Sequence, residues 1–228
     1  MKKNQLLITA CLSLLLPGLP VKPLYAQKNT IRLFEPDAKN EWYSFLQKSG
    51  KNNDPLHVFQ FEEGMIHVSG EDFGYIVTER SFANFHLTMQ FKWGEKRFPP
   101  RESDKRDAGI LFFVQFPKGD VVWPRSIEFQ IQQGDCGDFW MVDSTTIAHS
   151  DSITKPRNYS KAAKFKDAEK TKGEWNTAEI FAKDGTIRFL LNGEEVNTAS
   201  RPSIHKGRII LQSEGAEIFY RKIYIEEL

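Results

Sequence analysis

The sequence predicts an all-β fold, a sandwich of two antiparallel sheets formed as one domain. Three observations predict it. Short runs of β-branched and aromatic residues recur along the chain between glycine-centred turns. Two of these runs alternate strictly between apolar and polar residues, and no apolar set repeats at helical spacing over a comparable length. The 228 residues are 40% hydrophobic and 13% aromatic, enough for one large core.

Taken in order, residues 1–26 read as a secretory signal peptide. Lys2 and Lys3 precede an apolar run from Leu6 to Leu16, then Pro17-Gly18, with cleavage expected after Ala26. A lipoprotein reading through Cys11 is the lesser one, because it leaves only Leu6-Leu7-Ile8 as apolar core ahead of the cut. The mature domain, residues 27–228, opens with a lead-in to about residue 55. His57 to Phe61 and Met65 to Val68 form a hairpin about Glu63-Gly64, and Tyr75 to Thr78 is a short strand. In the next strand Phe85, Leu87, Met89, Phe91 and Trp93 share one face, as packing residues do. Gly94 to Lys105 is a charged loop of the kind that borders a site. Ala108 to Phe116 is apolar almost throughout, as a strand covered on both faces would be. Residues 145–172 are the least regular and rich in lysine, with a short helix expected around Ala162 to Ala168. Trp175 to Ala182, Thr186 to Leu191 and Glu194 to Val196 form hairpins about Asp184-Gly185 and Asn192-Gly193. Arg208 to Gln212 and Glu217 to Ile225 close the domain.

The second alternating run carries the candidate site. Ile127, Phe129 and Ile131 face one way; Glu128, Gln130 and Gln132 face the other, between Trp123 and Trp140. A carboxylate and two amides can grip hydroxyls, an amide both donating and accepting, and indole faces can stack on sugar rings. Glu128 is the first candidate catalyst, against a structural role paired with Arg125. Asp107 opens the apolar strand beside the charged loop and is either a site acid or a strand-start cap. His149, near Asp151, is a candidate mobile base. Asp135 and Asp138 flank Cys136-Gly137 and could hold a divalent cation such as Ca²⁺; a plain turn is the commoner explanation for such a pair.

Bulk properties exclude several classes. With 31 basic and 30 acidic residues the chain carries no basic excess for nucleic acid. No run after the leader approaches the roughly 20 apolar residues of a membrane span. After cleavage Cys136 is the only cysteine, so no intramolecular disulfide forms. HExxH, GxSxG, P-loop and Rossmann glycine patterns are missing from the sequence.

Several blocks, in order, resemble one family. They are Glu63-Gly-Met-Ile-His-Val-Ser-Gly70, Gly74-Tyr-Ile-Val-Thr78, Phe82-Ala-Asn-Phe-His-Leu87, Asp107-Ala-Gly-Ile-Leu-Phe112, Trp123-Pro-Arg-Ser-Ile-Glu-Phe-Gln130, Gly173-Glu-Trp-Asn176, Leu191-Asn-Gly193, Gly207-Arg-Ile-Ile-Leu-Gln212 and Phe219-Tyr-Arg-Lys-Ile223. Over about residues 31–228 the chain resembles the 3-keto-disaccharide hydrolases, formerly a domain of unknown function. The resemblance implies a concanavalin A-like jelly roll with a carbohydrate site on its concave face. It also implies cleavage of 3-keto glycosides by proton abstraction at C2 and elimination, fed by a separate sugar oxidoreductase. Family members commonly carry Ser-Gly, three apolar residues and Arg where this chain has Ala108-Gly-Ile-Leu-Phe-Phe113, so Phe113 is expected to stack where others place a charge. Gln130, Gln132, Arg125, Trp123, Trp140 and Phe113 are the expected substrate contacts. The protein is expected to be exported to the periplasm, with a non-catalytic carbohydrate-binding module as the alternative.

Overall fold

The computed structural model describes residues 30–38 and 40–228, so the expected leader lies outside the described residues. The strands are, in chain order, β1 (Thr30–Arg32), β2 (Trp42–Leu46), β3 (Gly50–Lys51), β4 (Phe59–Glu62), β5 (Met65–Val68), β6 (Gly74–Thr78), β7 (Phe85–Arg97), β8 (Asp107–Gln115) and β9 (Arg125–Gln132). They continue as β10 (Phe139–Val142), β11 (Ala148–His149), β12 (Ser152–Ile153), β13 (Tyr159–Ala162), β14 (Asn176–Lys183), β15 (Thr186–Leu191), β16 (Glu194–Ser200), β17 (Arg208–Ser213) and β18 (Ala216–Glu227).

They form two antiparallel sheets. One runs β12-β11-β16-β15-β14-β7-β18-β5-β4, with β1 added on β18; the other runs β13-β10-β9-β8-β17-β6-β2-β3. Strands far apart in sequence, such as β8 and β17, pair within one sheet, as a jelly roll requires. The expected hairpins are present, and β7 runs on to Arg97, so that the first four residues of the expected charged loop are strand although the alternation ends at Trp93. No helix occurs among the described residues. The helix expected at 162–168 is replaced by β13 and an extended segment. Ala162 pairs with Phe139 on β10, the Lys164 amide donates to Asp138 Oδ1, and the Phe165 amide donates to the Val196 carbonyl. Backbone bonds to neighbouring strands thus displace the weak local helical preference of two alanines.

The core lies between the sheets. Phe85, Leu87, Met89, Phe91 and Trp93 of β7 meet Ile127, Phe129 and Ile131 of β9, all buried. Phe189 packs against Phe129 and Phe139, with ring centroids 4.7 and 3.9 Å apart. Each such side chain contributes about 1.5–3 kcal/mol by leaving water. Cys136 is buried and unpaired.

The residues that alternate with this core on the eight-stranded sheet face away from it, and their outer face is divided. Tyr43, Tyr75, Val77, Leu111, Val114 and Ile210 form an apolar cluster at one end. The acids and amides occupy the next positions along β8, β9 and β17.

Candidate active site

Strand pairing brings the polar residues of three strands together. Leu111 lies opposite Glu128, Gly109 opposite Gln130 and Asp107 opposite Gln132. Gln212 follows Leu211, the partner of Ile110, and so turns to the same outer face. Beyond the end of β17, Glu214 keeps that alternation and is buried.

Asp107 is the most heavily bonded of the acids. Gln130 Nε2 donates to its Oδ1 at 2.9 Å, and Gln132 Nε2 to its Oδ2 at 2.7 Å. Arg101 Nη1, reaching in from the charged loop, lies 2.6 Å from Asp107 Oδ2 and 2.9 Å from Glu214 Oε1. Burial raises the Asp107 carboxyl above its ordinary range, while Arg101 and the Gln132 amide pull it down. Asp107 therefore ties the charged loop to the glutamines of β9, and its carboxylate also accepts from the Ala108 amide at the strand start. Each glutamine gives one N–H to Asp107, which leaves its second N–H and its carbonyl oxygen outside that pair.

Glu128 is treated differently. It is 5% exposed, and burial, then the charges of Glu214 and Asp107, push its carboxyl well above the usual range against the pull of Arg101. Among the described residues no hydrogen bond contributes to its state. Its carboxyl sits over Gly109, where a Cβ would meet Glu128 Oε1 at 2.0 Å and Gln212 Oε1 at 2.4 Å. Only glycine leaves room for both. Gln212 Oε1 is buried without a hydrogen-bond partner among the described residues, as is the Nε1 of Trp140, the cross-strand neighbour of Glu128.

Glu214 completes the cluster. Burial and the Asp107 charge raise its carboxyl to about 8, opposed by Arg101 and by a hydrogen bond from the Trp123 side chain. Trp123 sits in the loop between β8 and β9, its ring 6.1 Å from Phe73 and 6.4 Å from Tyr159. That loop is tied to the sheet where Asp120 Oδ1 accepts the Tyr43 hydroxyl at 2.7 Å and the Tyr75 hydroxyl at 2.9 Å. Two buried acids thus contact one guanidinium, and a third, Glu128, lies within range of its charge.

Of the residues expected from sequence, the structure brings together Asp107, Glu128, Gln130, Gln132, Trp123 and Trp140. It places five others elsewhere. Phe113 is buried in the core against Phe85 and Phe112, because a bulge in β8 between Phe112 and Gln115 turns its side chain inward. Arg125 is three positions from Glu128 on an unbroken strand and therefore faces the opposite side of the sheet, so it is not the partner of Glu128. His149 is on β11 in the other sheet, with Nε2 2.9 Å from Asn197 Oδ1, apart from the acids. Asp135 pairs with Lys105 at 2.8 Å and Asp138 with Lys161 at 2.6 Å, and both acids are neutralised by lysine rather than aimed at a common point. Among the described residues no group of three or more His, Cys, Asp or Glu side chains is arranged to hold a metal ion. Arg101, Gln212 and Glu214 were not singled out from sequence. The signal for the last two was the alternation Ile210, Gln212, Glu214, which runs past the end of the strand.

Fold and site together define a jelly-roll sandwich with an acid cluster on the outer face of its eight-stranded sheet. The family profile described as the 3-keto-alpha-glucoside-1,2-lyase-like domain matches residues 29–226, and the chain belongs to that family. No protein of curated function matches it by sequence. Among solved structures it is similar to a "putative glycosyl hydrolase" from Parabacteroides distasonis ATCC 8503, at 20% identity and TM-score 0.58 over 83% of this chain and 89% of that one. It is also similar to the carbohydrate-binding module CBM66 from Bacillus subtilis (10%, TM-score 0.57, 82% and 96%). A third similar structure is a β-glucanase from Bacillus licheniformis (8%, TM-score 0.53, 83% and 93%). At these identities the likeness is one of fold.

Proposed function

We propose that this chain is an exported, periplasmic enzyme that cleaves glycosides whose sugar carries a ketone at C3. A ketone there acidifies the C2–H bond. A base removes that proton, the released electron pair forms the C1=C2 bond, and the C1–O bond breaks. The departing oxygen takes up a proton, and water adding back across the double bond completes a net hydrolysis. No oxidant is consumed, so the ketone must be installed beforehand by a separate sugar oxidoreductase.

The observation that carries this reading is the set of three buried acids, two of them in contact with one guanidinium. Glu128, desolvated and without hydrogen bonds, is a strong base whenever it is ionised, and is assigned the C2 proton. Glu214, protonated up to about pH 8, is assigned the proton for the leaving oxygen. Arg101 is the positive group within reach of developing negative charge, and Asp107 with its two amides fixes Arg101 in place. Burying three acids costs stability whatever the protein does, and the raised carboxyls supply proton donors and acceptors that sugar binding alone does not require.

Incubation with a 3-keto-glucoside and with the unoxidised glucoside tests the reading. Release of the leaving group from the keto compound alone is expected. Glu128→Gln is expected to lower kcat by about 10²–10⁴, the usual contribution of a positioned base. Turnover by Glu128→Gln at the wild-type rate would remove Glu128 from its role, and tight binding without turnover by the wild type would favour the binding module.

A further inference from the structure

Beside the acid cluster lies a cavity of about 210 Å³. Val142 and Tyr159, cross-strand partners on β10 and β13, stand two residues along from the pair Trp140 and Lys161. Trp140 is in turn the partner of Glu128. Alternation puts Val142, Trp140, Tyr159 and Glu128 on one face, so the cavity is the next position along that face from Glu128. Its opposite wall is Trp123, whose side chain also hydrogen-bonds Glu214. One indole therefore touches both the cavity and the acid.

The lining is mixed in a specific way. The Trp123 and Tyr159 rings meet at 89°, forming an aromatic corner with Val121 beside it. Tyr159 is 50% exposed and so presents ring surface to whatever enters. The remaining wall is polar, with Asn158 and the ion pair of Lys118 with Asp143 at 3.1 Å. A ring with apolar faces and hydroxyl edges matches both halves at once. A purely apolar group leaves the polar wall unanswered, and an anion meets Asp143.

We propose that this cavity is the subsite for the departing part of the substrate, that it takes a pyranose ring, and that Tyr159 sets the preference for such a ring over a small alcohol. The inference rests on the glycoside-cleaving reading of the neighbouring acids. It places the glycosidic oxygen at the boundary between cavity and cluster, where Glu214 meets Trp123.

Two measurements test it on the intact protein. The first compares kcat/KM of wild type and Tyr159→Ala on a 3-keto-glucosyl disaccharide and on methyl 3-keto-glucoside. The second titrates both proteins calorimetrically with an unoxidised glucosyl disaccharide. The substitution is expected to lower the preference for disaccharide over methyl glycoside about three- to tenfold, the range of one aromatic contact, and to weaken the titration similarly. A half-exposed side chain leaves the core untouched, which an unchanged thermal midpoint verifies. Turnover with an unaltered preference overturns the subsite and leaves the enzyme reading standing. A wild-type kcat/KM on the disaccharide no higher than on the methyl glycoside overturns the pyranose assignment. Disaccharide binding that depends on Tyr159, without turnover of either keto compound, keeps the subsite and rejects the enzyme. Neither binding nor turnover rejects both.

Discussion

At Gly109 the sheet makes room for chemistry by omitting a side chain. Ile110, Leu111 and Phe112, which follow it on β8, are large and buried, yet here the carboxyl of Glu128 and the amide of Gln212 lie where a Cβ would project. Gly109→Ala is expected to displace Glu128 from its position and lower kcat by roughly 10²-fold, the cost of a misplacement near 1 Å. Its stability loss should stay near the 1 kcal/mol typical of single substitutions, since the crowded atoms are side-chain ends. Steady-state kinetics beside a denaturant titration checks this: a large stability loss with full activity in the folded fraction contradicts it. Arg101 shows the complementary logic at the residue scale. One guanidinium bridges Asp107 and Glu214, leaving Glu128 the acid with the weakest claim on positive charge.

The element that decides the shape of the site is the loop joining β8 to β9. Asp120 clamps it through Tyr43 and Tyr75, whose hydroxyls burial and that carboxylate raise above their ordinary range. Three residues later the loop delivers Trp123 to Glu214. Asp120→Ala is expected to cost about 1–3 kcal/mol, because two tyrosine hydroxyls lose their acceptor. It should also shift the Glu214 limb of the pH–activity profile upward, because the hydrogen bond from Trp123 holds that carboxyl down. A stability loss with no movement of that limb would make the clamp structural only. Elements were also the level at which sequence was most legible. The alternation of β7 and β9 is written in their residues, so the core, Glu128, Gln130, Gln132 and the flanking tryptophans could be read directly. Phe113 could not, because a bulge reverses the in-out order and nothing in a run of apolar residues marks where it falls. Glu214 follows its strand and Arg101 sits in a loop, so neither lies inside a periodic segment. The fragment at 162–168 reads as helix locally but is captured by strands far away in sequence.

For the whole molecule, the buried acids set how stability varies with pH. Glu214 is raised to about 8 in the folded state, against about 4.3 for an exposed glutamate, and Glu128 is raised in the same sense. Within that window the folded protein holds protons the unfolded chain has released, so stability falls as pH rises. Asp135 and Asp167, lowered chiefly by hydrogen bonds from Lys105 and Lys164, act oppositely and lose their contribution only as pH drops through the ordinary carboxylate range and below. The protein is therefore expected to be most stable in mildly acidic solution. Denaturant titrations from pH 5 to pH 8 should show a decline that Glu214→Gln flattens; an equal slope in the variant would mean that Glu214 does not carry it.

The bridge from Asp107 through Arg101 to Glu214 joins the first residue of β8 to the residue just past β17, with much of the chain between them. Contacts of such sequence separation form late, because loop closure must come before any reward for it. A chain that has made its hairpins but not laid β17 against β8 has no acid cluster at all. Its acids remain hydrated and ordinary until the sheet closes, so the desolvation that makes them reactive arrives with the completed fold and not before. Competence for chemistry is in this sense a property of the closed sheet and of no single strand.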